Sequence, residues 1–281
     1  MFLIATILTL SLIAPSAPDT GQRVSAGVSQ PRILTLADQA IGYIPASAGP
    51  HPPLLVLLHG AGQRPAWMIE HLVPQADARG IVLVAPASRG VTWDSVRVAE
   101  EAPSLSSALA NSMALRFTGS RDADRVEQAI RAIGSYVPVD RATTALAGFS
   151  DGATFALAMG MARTHLFAAV IAWSPGIAIE TASPARHRRV LVSHGRQDRV
   201  LSFETTCAEV VPMLESEGAS VTFLSFDGGH EIPAEATEAF LDAVFGPAPG
   251  ASAHSLLPDT KTCVRAAPDM DVGNIRGREH L

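Results

Sequence analysis

The feature that most constrains this chain is a glycine-flanked serine between a strand-like and a helix-like segment. The pentapeptide Gly148–Gly152 (GFSDG) follows the largely apolar run Ala142–Ala147 and precedes the helix-like run Ala153–Met161. A serine at such a sharp turn has a strained backbone, and flanking glycines let neighbouring backbone come close without a clash. The following helix directs its free N–H groups and partial positive charge at the turn. The pattern therefore predicts that Ser150 is a nucleophile beside a site that stabilises negative charge.

A serine nucleophile needs a general base to take its proton and an acid to orient that base. The run Val190–His194 predicts a buried parallel strand, with Asp198 in the loop after it. The run Val221–Phe226 predicts a second such strand, and His230 lies in the loop that follows. Because open α/β sheets gather functional groups at the carboxyl ends of their strands, both side chains are expected beside Ser150. Asp198 is the predicted acid, which holds the base His230 in the tautomer that accepts the serine proton.

A tetrahedral intermediate also needs hydrogen-bond donors for its oxyanion. The continuous apolar run Leu54–Leu58 predicts a central strand covered on both faces, and a His-Gly-Ala-Gly segment follows it at residues 59–62. One donor N–H is expected from this loop, and the other from Asp151, the residue after the nucleophile. Ala61 is favoured as the loop donor, with Gly62 as the alternative one residue further on.

Two other titratable residues compete for roles in this site. Asp227 also follows a strand, but its closeness to His230 in sequence tends to put both on one loop, facing away from the far side of the imidazole. The sequence therefore favours Asp198 as the acid. In a site of this kind the nucleophile, the acid and the base are expected in the chain order Ser, Asp, His. His59 precedes Ser150 and does not fit that order. It is predicted to be a structural histidine that bonds to the loop backbone.

Taken together and in this order, these motifs resemble those of α/β-hydrolases of the serine carboxylesterase group. The similarity is to the phospholipase/carboxylesterase and polyhydroxybutyrate-depolymerase-like branches. The matching segments are residues 58–62, 148–152, 194–198 and 229–230, all within residues 31–245. The resemblance implies an α/β-hydrolase fold, with a mostly parallel central sheet and helices on both faces. It also implies hydrolysis of carboxylic esters through an acyl-enzyme, with no cofactor.

The alternation of predicted strands and helices agrees with a mostly parallel sheet. A proline in the first turn marks the start of the last helix, and Asp122 or Asp124 is placed to cap the second. The predicted strands are a leading hairpin (32–36 and 40–44) and residues 53–59, 81–85, 143–147, 168–173, 190–194 and 221–226. The predicted helices are residues 66–78, 122–136, 153–161, 202–217 and 233–244.

The composition fits one catalytic domain, which we place at residues 31–246. With 47% hydrophobic and 17% charged residues, a chain of 281 residues can bury a large core. The net charge of -6 provides no basic face, so a nucleic-acid partner is not expected. The histidines are scattered without the short spacing of a zinc site, so no metal is expected either. The expected partner is a small-molecule ester, and the oligomeric state is left open.

The two ends differ in composition from the rest of the chain. Residues 1–17 are predicted to be a signal-like hydrophobic segment, because Phe2–Ala14 is apolar but shorter than the about 20 residues that span a bilayer. Export, to the periplasm or out of the cell, is expected rather than stable membrane insertion; the alternative is a cytoplasmic protein. Residues 247–281 are predicted to be a poorly ordered tail. Cys207 and Cys263 either form a disulfide that pins this tail or remain two thiols.

Substrate specificity is the least constrained property. Residues 86–121 are too long for a tight connection and are predicted to form an insert that rims the pocket. Trp93 in this insert and Trp173 at the end of a strand are candidates for lining the pocket, with core packing as the alternative for each. The insert is too short for a lipase-type lid, which favours short-chain or aryl esters. A serine peptidase with the same triad and a non-catalytic binding protein on the same scaffold remain as other functions.

Overall fold

We describe the chain from a computed structural model, which covers residues 30–94, 96, 120–177 and 187–250. The signal-like segment at residues 1–17 lies outside this described part. So do most of the insert at 86–121 and the tail from residue 251 onward. The boundaries predicted for these segments therefore stay predictions.

Within the described residues, eight strands form a sheet in the order β1-β2-β4-β3-β5-β6-β7-β8. The strands β1 and β2 form an antiparallel hairpin, and β2 is antiparallel to β4. All the other neighbours are parallel, which confirms the predicted hairpin and the mostly parallel sheet. The strands are β1 (Arg32–Thr35), β2 (Ile41–Ile44), β3 (Pro53–Leu58), β4 (Val82–Ala85), β5 (Asp140–Phe149), β6 (Ala169–Trp173), β7 (Arg189–Gly195) and β8 (Ser220–Phe226).

Helices cover both faces of this sheet, as predicted. The helices are α1 (Pro65–Arg79), α2 (Arg121–Tyr136), α3 (Asp151–Ala162), α4 (Val211–Ser216) and α5 (Ala234–Phe245). A short α-turn (Phe203–Thr205) and a π-helical turn (Thr206–Val210) precede α4, so the continuous helix predicted over residues 202–217 is interrupted. Because side chains alternate along β3, Leu54 and Val56 join the core under α2 and α3. Leu55 and Leu57 join the core under α1 and α5.

The start of α2 differs from the prediction that Asp122 or Asp124 caps this helix. The cap is Ser120, whose hydroxyl accepts a hydrogen bond from the Ala123 N–H at 3.0 Å. Asp122 is instead buried, and its carboxylate accepts hydrogen bonds from the backbone of the loop after β4. The prediction was wrong because Asp122 and Asp124 also carry suitable oxygens near the helix start. Only Ser120 lies at the position with the extended backbone that a cap requires.

Two observations bear on the environment of the chain. None of the helices in the described part is long and apolar enough to cross a membrane. Cys207, in the π-helical turn, is disulfide-bonded. The other cysteine of the chain, Cys263, lies outside the described residues. Of the two alternatives for the cysteines, the paired one therefore holds for Cys207.

Candidate active site

Ser150 lies between the end of β5 and the start of α3 with φ 57° and ψ -124°, a conformation that is rare for residues other than glycine. Its N–H donates to the carbonyl oxygen of Trp173 at 2.9 Å, which ties the turn to the neighbouring strand. A Cβ atom at Gly148 would overlap the carbonyl oxygen of Gly152, and one at Gly152 would overlap that of Leu58. Both glycines are therefore required for the close backbone approach that the sequence pattern predicted.

The structure brings Ser150, His230 and Asp198 together in one chain of hydrogen bonds. The Nε2 atom of His230 is 2.9 Å from the Oγ atom of Ser150, and its Nδ1 atom is 2.7 Å from Oδ2 of Asp198. With the carboxylate as acceptor, Nδ1 carries the proton and Nε2 is left to accept from the serine hydroxyl. The side chain of Asp198 is fully buried and that of His230 is 15% exposed. This arrangement can move a proton from Ser150 to His230.

The acid and the base meet because β7 and β8 are neighbours whose following loops pack together. The N–H of Arg196 donates to the carbonyl of Phe226 at 2.9 Å, and that of Gln197 to the carbonyl of Gly228 at 3.0 Å. A Cβ atom at Gly195 would overlap the carbonyl oxygen of Gly228, so this contact requires a glycine. The loops after the two strands are thus held side by side.

The carboxylate of Asp198 has all of its oxygen acceptor positions in use. Its Oδ1 atom accepts from the N–H groups of Val200 and Leu201 at 2.8 and 2.9 Å. Its Oδ2 atom lies 2.7 Å from Nδ1 of His230 and 3.1 Å from Nε2 of His194. Burial alone would raise the pKa of Asp198, but hydrogen bonds from Leu201, His230 and Val200 outweigh it and lower the pKa. The acid is therefore held in its charged form.

His194 is a site residue that the sequence interpretation treated only as part of a strand. Its ring is fully buried, and its Nδ1 atom lies 2.8 Å from the hydroxyl of Thr206 in the π-helical turn. Burial lowers the pKa of His194. Its Nε2 atom faces two acceptors, the Asp198 carboxylate and the Leu201 carbonyl, and therefore carries a proton. A histidine four residues before the acid on a buried strand is the sequence signal that could have indicated this contact.

Asp227, the alternative acid, points away from His230. Its side chain is 81% exposed and pairs with Arg196 at 3.0 Å. The structure thus places Asp198, and not Asp227, against the imidazole.

The loop after β3 lies against the nucleophile, and hydrogen bonds occupy several of its N–H groups. A Cβ atom at Gly60 would come within 3.1 Å of the Cβ atom of Ser150, so the two backbones are in close contact. The N–H of Gly62 donates to the carbonyl of Val91 at 2.7 Å and is therefore occupied. The N–H of Gly60 is likewise occupied, by the side chain of Gln63 at 2.9 Å. Among the described residues, the N–H of Ala61 has no acceptor.

A second N–H without an acceptor belongs to Asp151, the residue after Ser150. It is the first residue of α3, where the backbone N–H groups have no partner within the helix. Its N–H has no acceptor in the described part of the chain. Ala61 and Asp151 therefore have N–H groups without an acceptor in the described part of the chain, whereas the N–H of the alternative, Gly62, already donates to Val91.

The ring of His59 makes two hydrogen bonds at the start of this loop. Its Nδ1 atom lies 2.8 Å from the carbonyl of Gly60, and its Nε2 atom accepts from the N–H of Ser88 at 3.2 Å. Burial lowers the pKa of His59, in keeping with a neutral ring that donates from Nδ1 and accepts at Nε2. These contacts are those of a structural histidine.

The two tryptophans expected to line the pocket are core residues instead. Trp93 is fully buried, donates from Nε1 to the carbonyl of His59 at 2.8 Å, and stacks on Phe155 with ring centroids 4.9 Å apart. Trp173 is also fully buried, in the core under α1 and α5. The pocket-lining expectation is therefore corrected for both, because their rings are buried in the core. No cluster of side chains in the described residues could hold a metal ion.

The chain is similar to known proteins both in sequence and in fold. The sequence matches the profile of a family described as phospholipase/carboxylesterase over residues 40–244. Among solved structures, the chain is similar to the esterase PE8, with 21% identity, a TM-score of 0.54, and coverage of 75% of this chain and 100% of that one. It is also similar to the Bacillus cereus carboxylesterase, with 17% identity, a TM-score of 0.53, and coverage of 74% and 94%.

A third similar structure is the esterase Est2 from Thermogutta terrifontis, with 16% identity, a TM-score of 0.55, and coverage of 79% of this chain and 95% of that one. At these identities the structural matches show the fold, which is that of the α/β-hydrolases. A comparison with curated proteins gives no match.

Proposed function

We propose that this chain, which belongs to the phospholipase/carboxylesterase family and is a carboxylic ester hydrolase, works through Ser150, His230 and Asp198. The observation that carries the proposal is the continuous hydrogen-bonded chain from the Asp198 carboxylate through the imidazole to the serine hydroxyl. The N–H groups of Ala61 and Asp151 support it, because neither has an acceptor among the described residues and each belongs to a segment next to Ser150.

The proposed reaction has two halves. His230 Nε2 takes the hydroxyl proton of Ser150 while the Oγ atom attacks the ester carbonyl carbon, and Ala61 and Asp151 donate to the resulting oxyanion. His230 then gives this proton to the leaving alcohol, and the C–O bond breaks to leave an acyl-enzyme. A water molecule, deprotonated by the same imidazole, attacks the acyl carbon, and the carboxylic acid leaves as Ser150 recovers its proton. Asp198 stabilises the imidazolium in both halves.

The test of this proposal is the loss of activity in triad variants. Ser150→Ala and His230→Ala should each lower kcat for p-nitrophenyl acetate by about 10³-fold or more, because the residues act as a unit. The double variant should be little worse than either single one. Asp198→Asn should also lose orders of magnitude in kcat, because an amide cannot stabilise the imidazolium. A fluorophosphonate probe should label the wild-type chain and not Ser150→Ala.

The matched control for the acid is Asp227→Asn, which changes an exposed carboxylate in the loop that carries His230. Its kcat should stay within about twofold of wild type, since exposed ion pairs contribute little. Near-normal activity in Asp198→Asn together with collapse in Asp227→Asn would refute the assignment of the acid. Losses that multiply in the Ser150/His230 double variant would refute the shared proton transfer.

For the substrate, we propose short-chain or aryl esters. The insert at residues 86–121 is short compared with a lipase-type lid. Two of its residues contact the oxyanion loop: the Val91 carbonyl and the Trp93 indole both form hydrogen bonds with it. The residues that bond to the oxyanion loop are not available to cover a fatty acyl chain, whose burial would contribute about 0.8 kcal/mol per methylene.

The measurement is the dependence of kcat/KM on acyl length for p-nitrophenyl esters. We expect a maximum at acetyl to butyryl chains and no activation when the substrate concentration passes the point of micelle formation. A maximum at long acyl chains, or a preference for lysophospholipids, would contradict the short-chain proposal. That result would leave the triad proposal intact.

We also propose that the protein is exported. Support comes from the disulfide-bonded Cys207, since disulfides persist in oxidising compartments, and from the signal-like segment at residues 1–17. Expression in a Gram-negative host should put the full chain in the periplasm or medium, and a chain lacking residues 1–17 in the cytoplasm. Cytoplasmic recovery of the full chain would contradict export.

A further inference from the structure

The loop after β4, residues 88–94, bonds to both segments that carry the proposed oxyanion donors, and we call it the clamp loop. The carbonyl of Val91 accepts from the N–H of Gly62 at 2.7 Å. The hydroxyl of Thr92 donates to the Oδ2 atom of Asp151 at 2.5 Å. One short segment thus bonds to the neighbour of one proposed oxyanion donor and to the side chain of the other.

The clamp loop also holds the beginning of the oxyanion loop. The N–H of Ser88 donates to Nε2 of His59, and the indole of Trp93 donates to the carbonyl of the same histidine. Because Gly62 and His59 are both hydrogen-bonded to the clamp loop, the backbone of Ala61 between them is held from both sides.

A single carboxylate closes the clamp loop. The Oδ1 atom of Asp122 accepts from the N–H of Arg89, and its Oδ2 atom accepts from the N–H of Asp94, both at 2.9 Å. The N–H of Asp122 in turn donates to the carboxylate of Asp94 at 3.3 Å. Both ends of the loop are therefore bound to the first turn of α2.

Arg125 in α2 and Ser120, the cap of α2, reinforce this attachment. The guanidinium of Arg125 donates to the carbonyls of Ala87 and Ser88 at 3.3 and 3.4 Å. The hydroxyl of Ser120 donates to the carboxylate of Asp94 at 2.8 Å. The start of α2 is thus organised around the clamp loop as well as around its own cap.

Keeping a carboxylate at this position is costly, which indicates that its contacts matter. Asp122 is 1% exposed. Burial raises its pKa, and hydrogen bonds from Arg89 and Asp94 only partly oppose that effect. An apolar residue would avoid the desolvation cost, but it would leave two buried N–H groups without an acceptor.

We propose that Asp122 is a positioning residue for ester hydrolysis: it closes the clamp loop, which through Val91 and Thr92 orients the N–H groups of Ala61 and Asp151. The inference rests on the function proposed above. Asp122 acts through the loop and does not touch the substrate. Thr92 is the contact by which the loop reaches Asp151.

The first test is Asp122→Asn with Asp124→Asn as its matched control. The amide has one oxygen and an NH2 group, so one of the two loop N–H groups loses its acceptor and faces a donor. We expect kcat for p-nitrophenyl acetate to fall by about 10- to 100-fold with KM within about twofold, because a misplaced donor weakens transition-state binding. The rate of fluorophosphonate labelling should fall in parallel. Asp124 is exposed on the same turn, and its variant should match wild type.

The second test does not depend on a buried substitution. Thr92→Val is isosteric and removes the hydroxyl that binds Asp151, whereas Thr92→Ser keeps it. We expect Thr92→Val to lower kcat by about tenfold with KM nearly unchanged, and Thr92→Ser to restore it to within about twofold of wild type. If Asp122→Asn does not fold, the comparison of Thr92→Val with Thr92→Ser still tests whether the clamp loop positions the donors.

These experiments distinguish failure of the positioning role from failure of the proposed ester hydrolysis. A wild-type kcat in a folded Asp122→Asn variant, or in Thr92→Val, would overturn the positioning role. Fluorophosphonate labelling of Ser150 in the same variants would still support the proposed function. A rise in KM with unchanged kcat would also overturn it, since the loop would then act on substrate binding. A wild-type chain that neither hydrolyses esters nor reacts with the probe would overturn both.

Discussion

The site depends on the strained backbone of Ser150. A non-glycine residue with φ 57° and ψ -124° costs about 1 to 3 kcal/mol, so the surrounding structure must hold it there. The bond from its N–H to Trp173 and the close approach of Gly152 to the carbonyls of Leu58 and His59 do so. In this conformation the hydroxyl of Ser150 faces the imidazole of His230, and its Cβ atom lies against the oxyanion loop.

Two buried carboxylates organise the loops on either side of that serine. Asp198 accepts from the backbone of its own loop and from two histidines, which fixes the base. Asp122 accepts from both ends of the clamp loop, and in our account this fixes the donors for the oxyanion. The same physics applies to both: a buried charge is tolerated when its oxygens are hydrogen-bonded, and it then specifies one loop conformation. The two halves of the site thus rest on the same kind of contact.

Much of the fold could be predicted from sequence, because buried parallel strands give continuous apolar runs and their carboxyl ends share one edge. That logic predicted that Ser150, Asp198 and His230 converge. It could not place Trp93 or Asp122, since their surroundings depend on loop conformation and on contacts about thirty residues away in the chain. A polar residue at a helix start fits a cap and a loop anchor equally well. Composition cannot distinguish these two roles for Asp122. The structure does, because the hydroxyl of Ser120 caps the helix instead.

The most direct test of this account is a crystal structure of the chain after reaction with a p-nitrophenyl alkylphosphonate, which mimics the tetrahedral intermediate. The account predicts a bond from phosphorus to the Oγ atom of Ser150. It also predicts a phosphoryl oxygen about 2.7 to 3.1 Å from the N–H nitrogens of both Ala61 and Asp151. The bond between Gly62 and Val91 should stay in place. A phosphonate on another residue, or an oxygen held by the Gly62 N–H after release of Val91, would contradict it.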